Sequence, residues 1–157
     1  PKLWGYYPVH RGSFSTDALR AAEAILEQDG VLGIFPEAGN WATVLRPGRP
    51  GAAFLAVRTG ARILPMGFAN LNEIFPSLRE GRRARITIRI GEPFGPFRAE
   101  GRGRERRPKL DAIGHEIMGR IAKLIPPEKR GHYSEDPAIR AAAEGTEVYP
   151  WDENPEA

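Results

Sequence analysis

Apolar and polar residues are distributed along the chain in a pattern that predicts strands and helices in turn. Four short apolar or alternating runs are typical of strands, and they span residues 6–9, 31–35, 62–68 and 85–90. Apolar residues at helical spacing predict four helices, over residues 16–28, 50–60, 108–124 and 136–144, with a short helical turn over 70–75. Strands and helices in succession predict an α/β domain with a mainly parallel or mixed central sheet and covering helices.

The end of the second predicted strand is the most informative position for chemistry. Because Pro36 cannot donate to a strand ladder, the strand must end there, and in open α/β sheets ligands bind beyond the carboxyl ends of strands. Glu37, Gly39 and Asn40 are therefore candidate binding residues. Gly39 permits a close backbone approach or a positive φ, either of which would let an N–H group face a ligand. An ordinary strand-to-loop turn is the alternative interpretation.

Several blocks resemble, in order and spacing, those of the glycerol-phosphate and lysophosphatidate acyltransferases. Residues 35–39 read Phe-Pro-Glu-Ala-Gly and resemble the Phe-Pro-Glu-Gly-Thr block of that family. Residues 5–12 resemble the family's upstream strand block, which ends in an arginine. Residues 46–56 resemble its Gly-rich entry into a helix, and residues 63–66 resemble its short apolar block with a proline. The resemblance extends over residues 5–91.

The resemblance implies an O-acyltransferase of phospholipid biosynthesis, similar to 1-acylglycerol-3-phosphate acyltransferase. Such an enzyme moves a fatty acyl group from acyl-CoA or acyl carrier protein to lysophosphatidate or a related glycerolipid phosphate. The thioester is a co-substrate, so no cofactor is expected. The expected partners are the lysophospholipid acceptor, the thioester donor and an anionic membrane. The expected location is cytoplasmic, with peripheral association at the inner face of the membrane.

The same resemblance assigns an acceptor site. Arg11 is the candidate clamp for the acceptor phosphate, because a guanidinium matches phosphate in a bidentate fork. Glu37 would hydrogen-bond a glycerol hydroxyl or hold Arg11 in place. The family has an arginine where this chain has Asn40, so Arg46 or Arg49 on the same loop would take over its role. The alternatives are a surface ion pair for Arg11 and a carboxylate satisfied by backbone amides for Glu37.

The catalytic block of the family, His-x-x-x-x-Asp, is absent from this sequence. Five positions after each of the three histidines stand Ser15, Arg120 and Pro137. The first residue is Pro1, so we expect that the chain starts partway through a longer product; a relative that never had the catalytic base is the alternative. We therefore expect no catalytic residue in this chain and little or no transfer by the chain alone. A non-catalytic module that binds lipid phosphate or the acyl donor is the alternative function.

Length and composition exclude several classes of site. The 157 residues are enough for one domain, and we expect an α/β domain over residues 1–133 followed by an acidic tail over 134–157. The absence of cysteine excludes disulfides, a thiolate nucleophile and cysteine-ligated metal, and three histidines without ligand spacing predict no metal site. The sequence has no apolar run of about 18 residues, so no membrane-spanning helix is expected.

Charge is distributed unevenly along the chain. Residues 79–107 hold ten arginines against four glutamates, whereas residues 134–157 hold seven acidic residues against one arginine. The basic stretch suits anionic lipid headgroups or nucleic acid, and a solvated arginine-rich face is the third interpretation. It lacks interleaved aromatic residues and any base-reading motif, so no nucleic-acid partner is expected.

Overall fold

The computed structural model describes residues 16–37, 42–101 and 103–146. In these ranges the chain forms five α-helices and two β-strands. Helices α1 to α5 span Thr16–Glu27, Gly51–Thr59, Ile74–Arg79, Arg107–Ala122 and Pro137–Ala143. Strands β1 and β2 span Met66–Ala69 and Thr87–Ile90. Short 3-10 turns span Leu71–Glu73, Gly103–Glu105, Pro127–Lys129 and Gly131–Tyr133.

The helices lie where hydrophobic spacing predicts them, and local chemistry explains their ends. Helix α2 ends at Gly60, whose φ of 69° is left-handed and whose N–H donates to Ala56 O at 3.0 Å. Helix α5 begins at Asp136, which accepts a hydrogen bond from the Ala138 N–H at 2.8 Å. The four predicted helices are therefore confirmed, with ends within a few residues of the expectation.

The described sheet is small and antiparallel. Strand β1 pairs with β2, with Met66 opposite Ile90 and Ala69 opposite Thr87. A single bridge between Ile63 and Phe94 extends the pairing toward the start of the third predicted strand. Helices with a sheet are compatible with the α/β class. However, the described residues contain no parallel strand pair, so the expectation of a mainly parallel sheet is not met in this part of the chain.

Residues 31–35 do not form the buried strand that their apolar sequence predicts. They are irregular and largely exposed, and the side chain of Val31 is 95% exposed. The prediction is wrong because a strand needs a partner, and no other described segment pairs with these residues. The predicted strand over residues 6–9 lies outside the described residues, as do residues 147–157. The division of the chain at residue 133 stays a prediction.

Helix α4 is the centre of the core, as its predicted apolar stripe requires. One core cluster, at one side of α4, contains Leu45, Met118, Ala122 and Ile125, with Ile121 and Tyr133 packed against it. The other contains Ala53, Phe94, Ile113 and Ile117, with Ile121 and several half-buried apolar residues packed against it. Helix α2 packs on α4 through the second cluster, and α1 packs on α2. Helices α1, α2 and α4 therefore pack against one another in succession.

One face of the sheet packs against the end of α4, and the other is exposed. Gly67 lies so close to Leu124 that an added Cβ would be 2.6 Å from the Leu124 Cβ. Arg89 Nη1 also donates to Leu124 O at 3.2 Å. The opposite face carries exposed apolar side chains, at Leu64, Met66, Ile86, Ile88 and Ile90. The alternation predicted for residues 85–90 is present, but the isoleucines face solvent rather than a core.

Candidate functional site

The candidate site is built on the loop between residues 36 and 49. Pro36 and Glu37 form a turn after the exposed apolar segment, and the Arg49 N–H donates to Pro36 O at 2.7 Å. This hydrogen bond brings the two ends of the loop together. Residues 38–41 lie outside the described residues, so the geometry of the site rests on Glu37 and on residues 42–49.

Arg46 ties the loop to Glu37 by two contacts. Its Nη2 donates to Glu37 O at 2.8 Å, and its backbone N–H donates to Glu37 Oε2 at 3.3 Å. Arg46 is only 2% exposed, so its guanidinium lies inside the protein. A buried charge of this kind is stable only with partners close by, and Glu37 supplies both a carbonyl and a carboxylate. Arg46 therefore positions Glu37.

Burial controls the protonation of Glu37. Desolvation raises the pKa of this carboxyl above its usual value of 4.5, while the hydrogen bond from the Arg46 backbone and the Arg46 charge act in the opposite direction. Because the desolvation effect is the largest, Glu37 holds its proton more tightly than an exposed glutamate. The carboxyl group accepts hydrogen bonds when it is ionised and can also donate one when it is protonated.

The segment after α4 holds the other side of the loop. The Leu45 N–H donates to Lys129 O at 2.8 Å, and Leu45 O accepts from the His132 N–H at 3.3 Å. Between them, Gly131 has a φ of 50°, and an added Cβ would lie 2.1 Å from Leu45 O. Only glycine allows this approach, since any side chain would meet backbone atoms. The loop is thus fixed on both sides.

A comparison with known proteins matches part of this chain to a family. Residues 2–69 match the family model described as Acyltransferase. These residues are less than half of the 157-residue chain. The match includes the whole loop from Pro36 to Arg49 and confirms the resemblance seen in the sequence. No curated protein and no solved structure matches the chain. The family match supports a general acyltransferase function.

The structure brings together some of the residues predicted for the acyltransferase site. Glu37 and Arg46 are in contact, and Arg49 lies on the same loop with an exposed side chain. Arg11, Gly39 and Asn40 lie outside the described residues, so their predicted roles stay predictions. Of the two arginines proposed to replace the one missing at position 40, Arg46 is buried and Arg49 is exposed.

Two residues beside the acyltransferase loop were not predicted from the sequence. Tyr133 Oη accepts a hydrogen bond from the Gly48 N–H and lies close enough to Glu37 for that charge to act on it. His115 Nδ1 is 2.9 Å from the same hydroxyl. Burial, the largest effect, and the Glu37 charge raise the pKa of Tyr133 above 10.0, so the phenol keeps its proton at neutral pH.

No sequence signal identified this pair, because Tyr133 and His115 are 18 residues apart and far from the acyltransferase blocks. His115 is exposed. The signal that could have located Tyr133 is the glycine two residues before it, whose left-handed backbone turns the segment toward Leu45.

Residues 16–37, 42–101 and 103–146 offer neither a metal-binding cluster nor a membrane-spanning helix. Within these ranges, no three histidine, aspartate or glutamate side chains are grouped so that they could hold a metal ion. None of the helices in the same ranges is both long and apolar enough to cross a membrane.

Proposed function

We propose that the protein takes part in the transfer of a fatty acyl group from acyl-CoA or acyl carrier protein to lysophosphatidate or a related glycerolipid phosphate, in phospholipid biosynthesis. The observation that supports it most directly is the acyltransferase match over residues 2–69, which contains the Glu37 loop. The glycerolipid acyltransferase fold, the acceptor and the pathway are part of this proposal. So is a cytoplasmic location with peripheral contact to the inner face of the membrane.

The proposal assigns an acceptor site to this chain. Arg49 is exposed on the loop and carries a permanent positive charge, which suits it to the acceptor phosphate together with Arg11. Glu37, held by Arg46, would accept a hydrogen bond from the glycerol hydroxyl and fix its orientation toward the thioester carbonyl. Gly39 and Asn40 would complete the site with backbone or amide donors.

Acyl transfer also needs a base that removes the hydroxyl proton and donors that stabilise the oxyanion. The His-x-x-x-x-Asp block that supplies the base in this family is absent from the 157 residues. Since it would have to come from outside this sequence, the chain alone is expected to bind the acceptor but not to transfer the acyl group.

The missing block favours a second candidate function. A module that binds lipid phosphate or the acyl donor without catalysis would keep the acceptor loop and need no base. Acyl transfer and a module that binds lipid phosphate predict the same acceptor binding by this chain, whereas a module that binds only the acyl donor predicts none. Both forms of the module differ from acyl transfer in one outcome. If the protein is an acyltransferase, adding a segment that contains the His-x-x-x-x-Asp block should restore acyl transfer, whereas a binding module should stay inactive.

Calorimetric titration with a short-chain lysophosphatidate tests the acceptor site. We expect Arg49→Ala to weaken binding about tenfold or more, since charge-assisted hydrogen bonds to phosphate contribute about 1.5–3 kcal/mol each. Arg104→Ala removes an equally exposed arginine far along the chain and is the matched control, which should bind like the wild type.

Equal weakening by Arg49→Ala and Arg104→Ala would show general cationic attraction and would contradict the assigned site. No lysophosphatidate binding by the wild-type chain would contradict the proposed transfer and the lipid-phosphate form of the second candidate, and would leave only a module that binds the acyl donor. Transfer from acyl-CoA by the chain alone would contradict the expectation that it lacks its base.

A further inference from the structure

Helix α3 belongs to an excursion that leaves the sheet and returns to it. Strand β1 ends at Ala69, and β2 begins at Thr87, its direct partner in the sheet. Between them, Asn70 Nδ2 donates to Arg85 O at 3.2 Å, which closes the base of the excursion. Residues 70–86 therefore form a unit that projects from the end of the two-stranded sheet. We call this unit the α3 excursion.

The outer face of the α3 excursion is apolar. Ile74 and Ser77 are directed inward, and Ser77 is buried. Phe75 and Leu78 are 74% and 71% exposed, and Leu71 is exposed as well. Phe75 and Leu78 are three residues apart on α3, which places them on one face of the helix. Leu71, in the 3-10 turn just before α3, adds a third exposed apolar side chain to this row. Large apolar side chains in such a row mark a contact surface.

The same excursion is basic. Arg79, Arg82, Arg83 and Arg85 are all exposed, against two acidic residues, Glu73 and Glu80. Arg82 is paired with Glu80. An apolar row beside clustered arginines is typical of segments that lie at a membrane interface, where apolar side chains enter the acyl boundary and arginines meet anionic headgroups.

We propose that the α3 excursion docks this protein onto an anionic lipid bilayer, with Leu71, Phe75 and Leu78 inserted and the arginines at headgroup level. The charge of the excursion matches the anionic leaflet. This docking surface assigns particular residues to the membrane contact that is part of the proposed function. It rests on the proposed function only for its biological purpose. Docking itself needs neither the acceptor site nor acyl transfer.

A second copy of the chain fits this surface less well than a bilayer. A stable protein interface takes about 20–30 residues a side, far more than the three side chains of this row. In a two-fold dimer through the row, the same surface of both copies would meet, so the arginines of each would lie near those of the other. Lipid phosphates instead neutralise the same charges.

Co-sedimentation of the 157-residue chain with phosphatidylcholine vesicles, with and without phosphatidylglycerol, tests the proposal. We expect binding only when phosphatidylglycerol is present. The double variant Phe75→Ser and Leu78→Ser should reduce the partition coefficient about tenfold or more. The matched control, Val31→Ser with Phe35→Ser, removes a similarly exposed aliphatic and aromatic pair elsewhere and should leave binding unchanged.

The charges are tested by a second matched pair. Arg79→Gln with Arg83→Gln should weaken binding about tenfold, since each arginine near an anionic leaflet contributes about 1 kcal/mol. Arg98→Gln with Arg104→Gln removes two exposed arginines outside the excursion and should have less effect. Circular dichroism of each variant confirms that it is folded.

Vesicle binding that is weakened equally by the Phe75/Leu78 and the Val31/Phe35 double variants, or by neither, would overturn the proposal. So would a dimer of the wild-type chain that dissociates in the double variant Phe75→Ser and Leu78→Ser. Lysophosphatidate titration without vesicles separates this test from that of the proposed function. Vesicle binding without lysophosphatidate binding would support docking and contradict the acceptor site. Lysophosphatidate binding without vesicle binding would support the acceptor site and contradict docking.

Discussion

The acceptor loop and the α3 excursion use their side chains in opposite ways. In the loop, a charged residue, Arg46, is buried and held by hydrogen bonds, and the backbone of Leu45 is paired on both sides. In the excursion, large apolar residues such as Phe75 and Leu78 face solvent. The described part of the loop encloses a charged side chain within the protein, whereas the excursion exposes apolar side chains that a partner could cover. Side-chain burial therefore distinguishes the loop, where the protein encloses a charged residue, from the excursion, where apolar side chains are accessible to a partner.

The largest expected effect is on stability, and it appears when a buried phenylalanine, Phe94, is compared with an exposed one, Phe75. Phe94 is 6% exposed and packs edge-on against Phe97, with the rings 5.6 Å apart, so Phe94→Ala should lower the free energy of unfolding by about 3–5 kcal/mol. Phe75→Ala should change it by no more than about 0.5 kcal/mol, because the ring is already in water. Urea unfolding measures both. A loss of similar size in both variants would remove the contrast between the regions.

The next effect concerns the backbone that fixes the loop. Gly131→Ala should destabilise the protein by about 3 kcal/mol or more, because the new Cβ would overlap Leu45 O and the left-handed backbone itself costs about 1–2 kcal/mol. Gly103→Ala is the matched control, since Gly103 has a similar φ of 57° and open space around its Cα. Gly103→Ala should lower the free energy of unfolding only by the roughly 1–2 kcal/mol that the left-handed backbone costs. Equal losses in denaturant midpoint would show that the loop can move away from residue 131.

A smaller effect concerns the tyrosine beside the loop. Tyr133→Phe should cost about 1–3 kcal/mol, because it leaves the Gly48 N–H without its acceptor in a half-buried place. His115→Ala removes the other partner of the same hydroxyl but leaves that acceptor in place, so it should cost less. Thermal unfolding of the two variants gives the order. A larger loss for His115→Ala would show that the histidine, rather than the Gly48 contact, holds the phenol.

The smallest expected effect is on the pH dependence of folding stability, through the carboxyl group of Glu37. Since burial raises the pKa of this carboxyl in the folded state above 4.5, the native protein takes up the proton before the unfolded chain does as pH falls. Stability should therefore increase as pH falls from the raised pKa toward 4.5. Glu37→Gln should abolish this increase, because the amide does not titrate in this pH range. Identical pH profiles for wild type and variant would contradict the desolvation argument.

The helices were predictable because each carries its own signal. The stripe on α4, the glycine after α2 and the aspartate before α5 all act within a few residues of the helix they define. For α3, the sequence predicted only a short helical turn over residues 70–75, and the helix continues to Arg79. The outward direction of Phe75 and Leu78 was not predictable, because periodicity identifies an apolar face without saying what covers it.

Strands were harder to predict because their stability depends on segments distant in sequence. The apolar residues 31–35 have the composition of a strand but lack a paired neighbour in the described part of the chain. At the candidate site, the family resemblance predicted a role for Glu37 and for Arg46 or Arg49, and those roles stay predictions. The burial of Arg46, and the approach of Tyr133 to the loop, depend on how the segment after α4 folds back, which no local pattern encodes.

The position of Ile121 on α4 has a consequence for how the protein opens. Ile121 packs against both core clusters, so neither cluster can come apart without disturbing the side chain that it shares with the other. The two clusters should therefore unfold together, and amide hydrogens in the middle of α4 should exchange with solvent only when the whole domain opens. Amides of α3, on the projecting excursion, should exchange earlier, through local fluctuations that leave α4 intact.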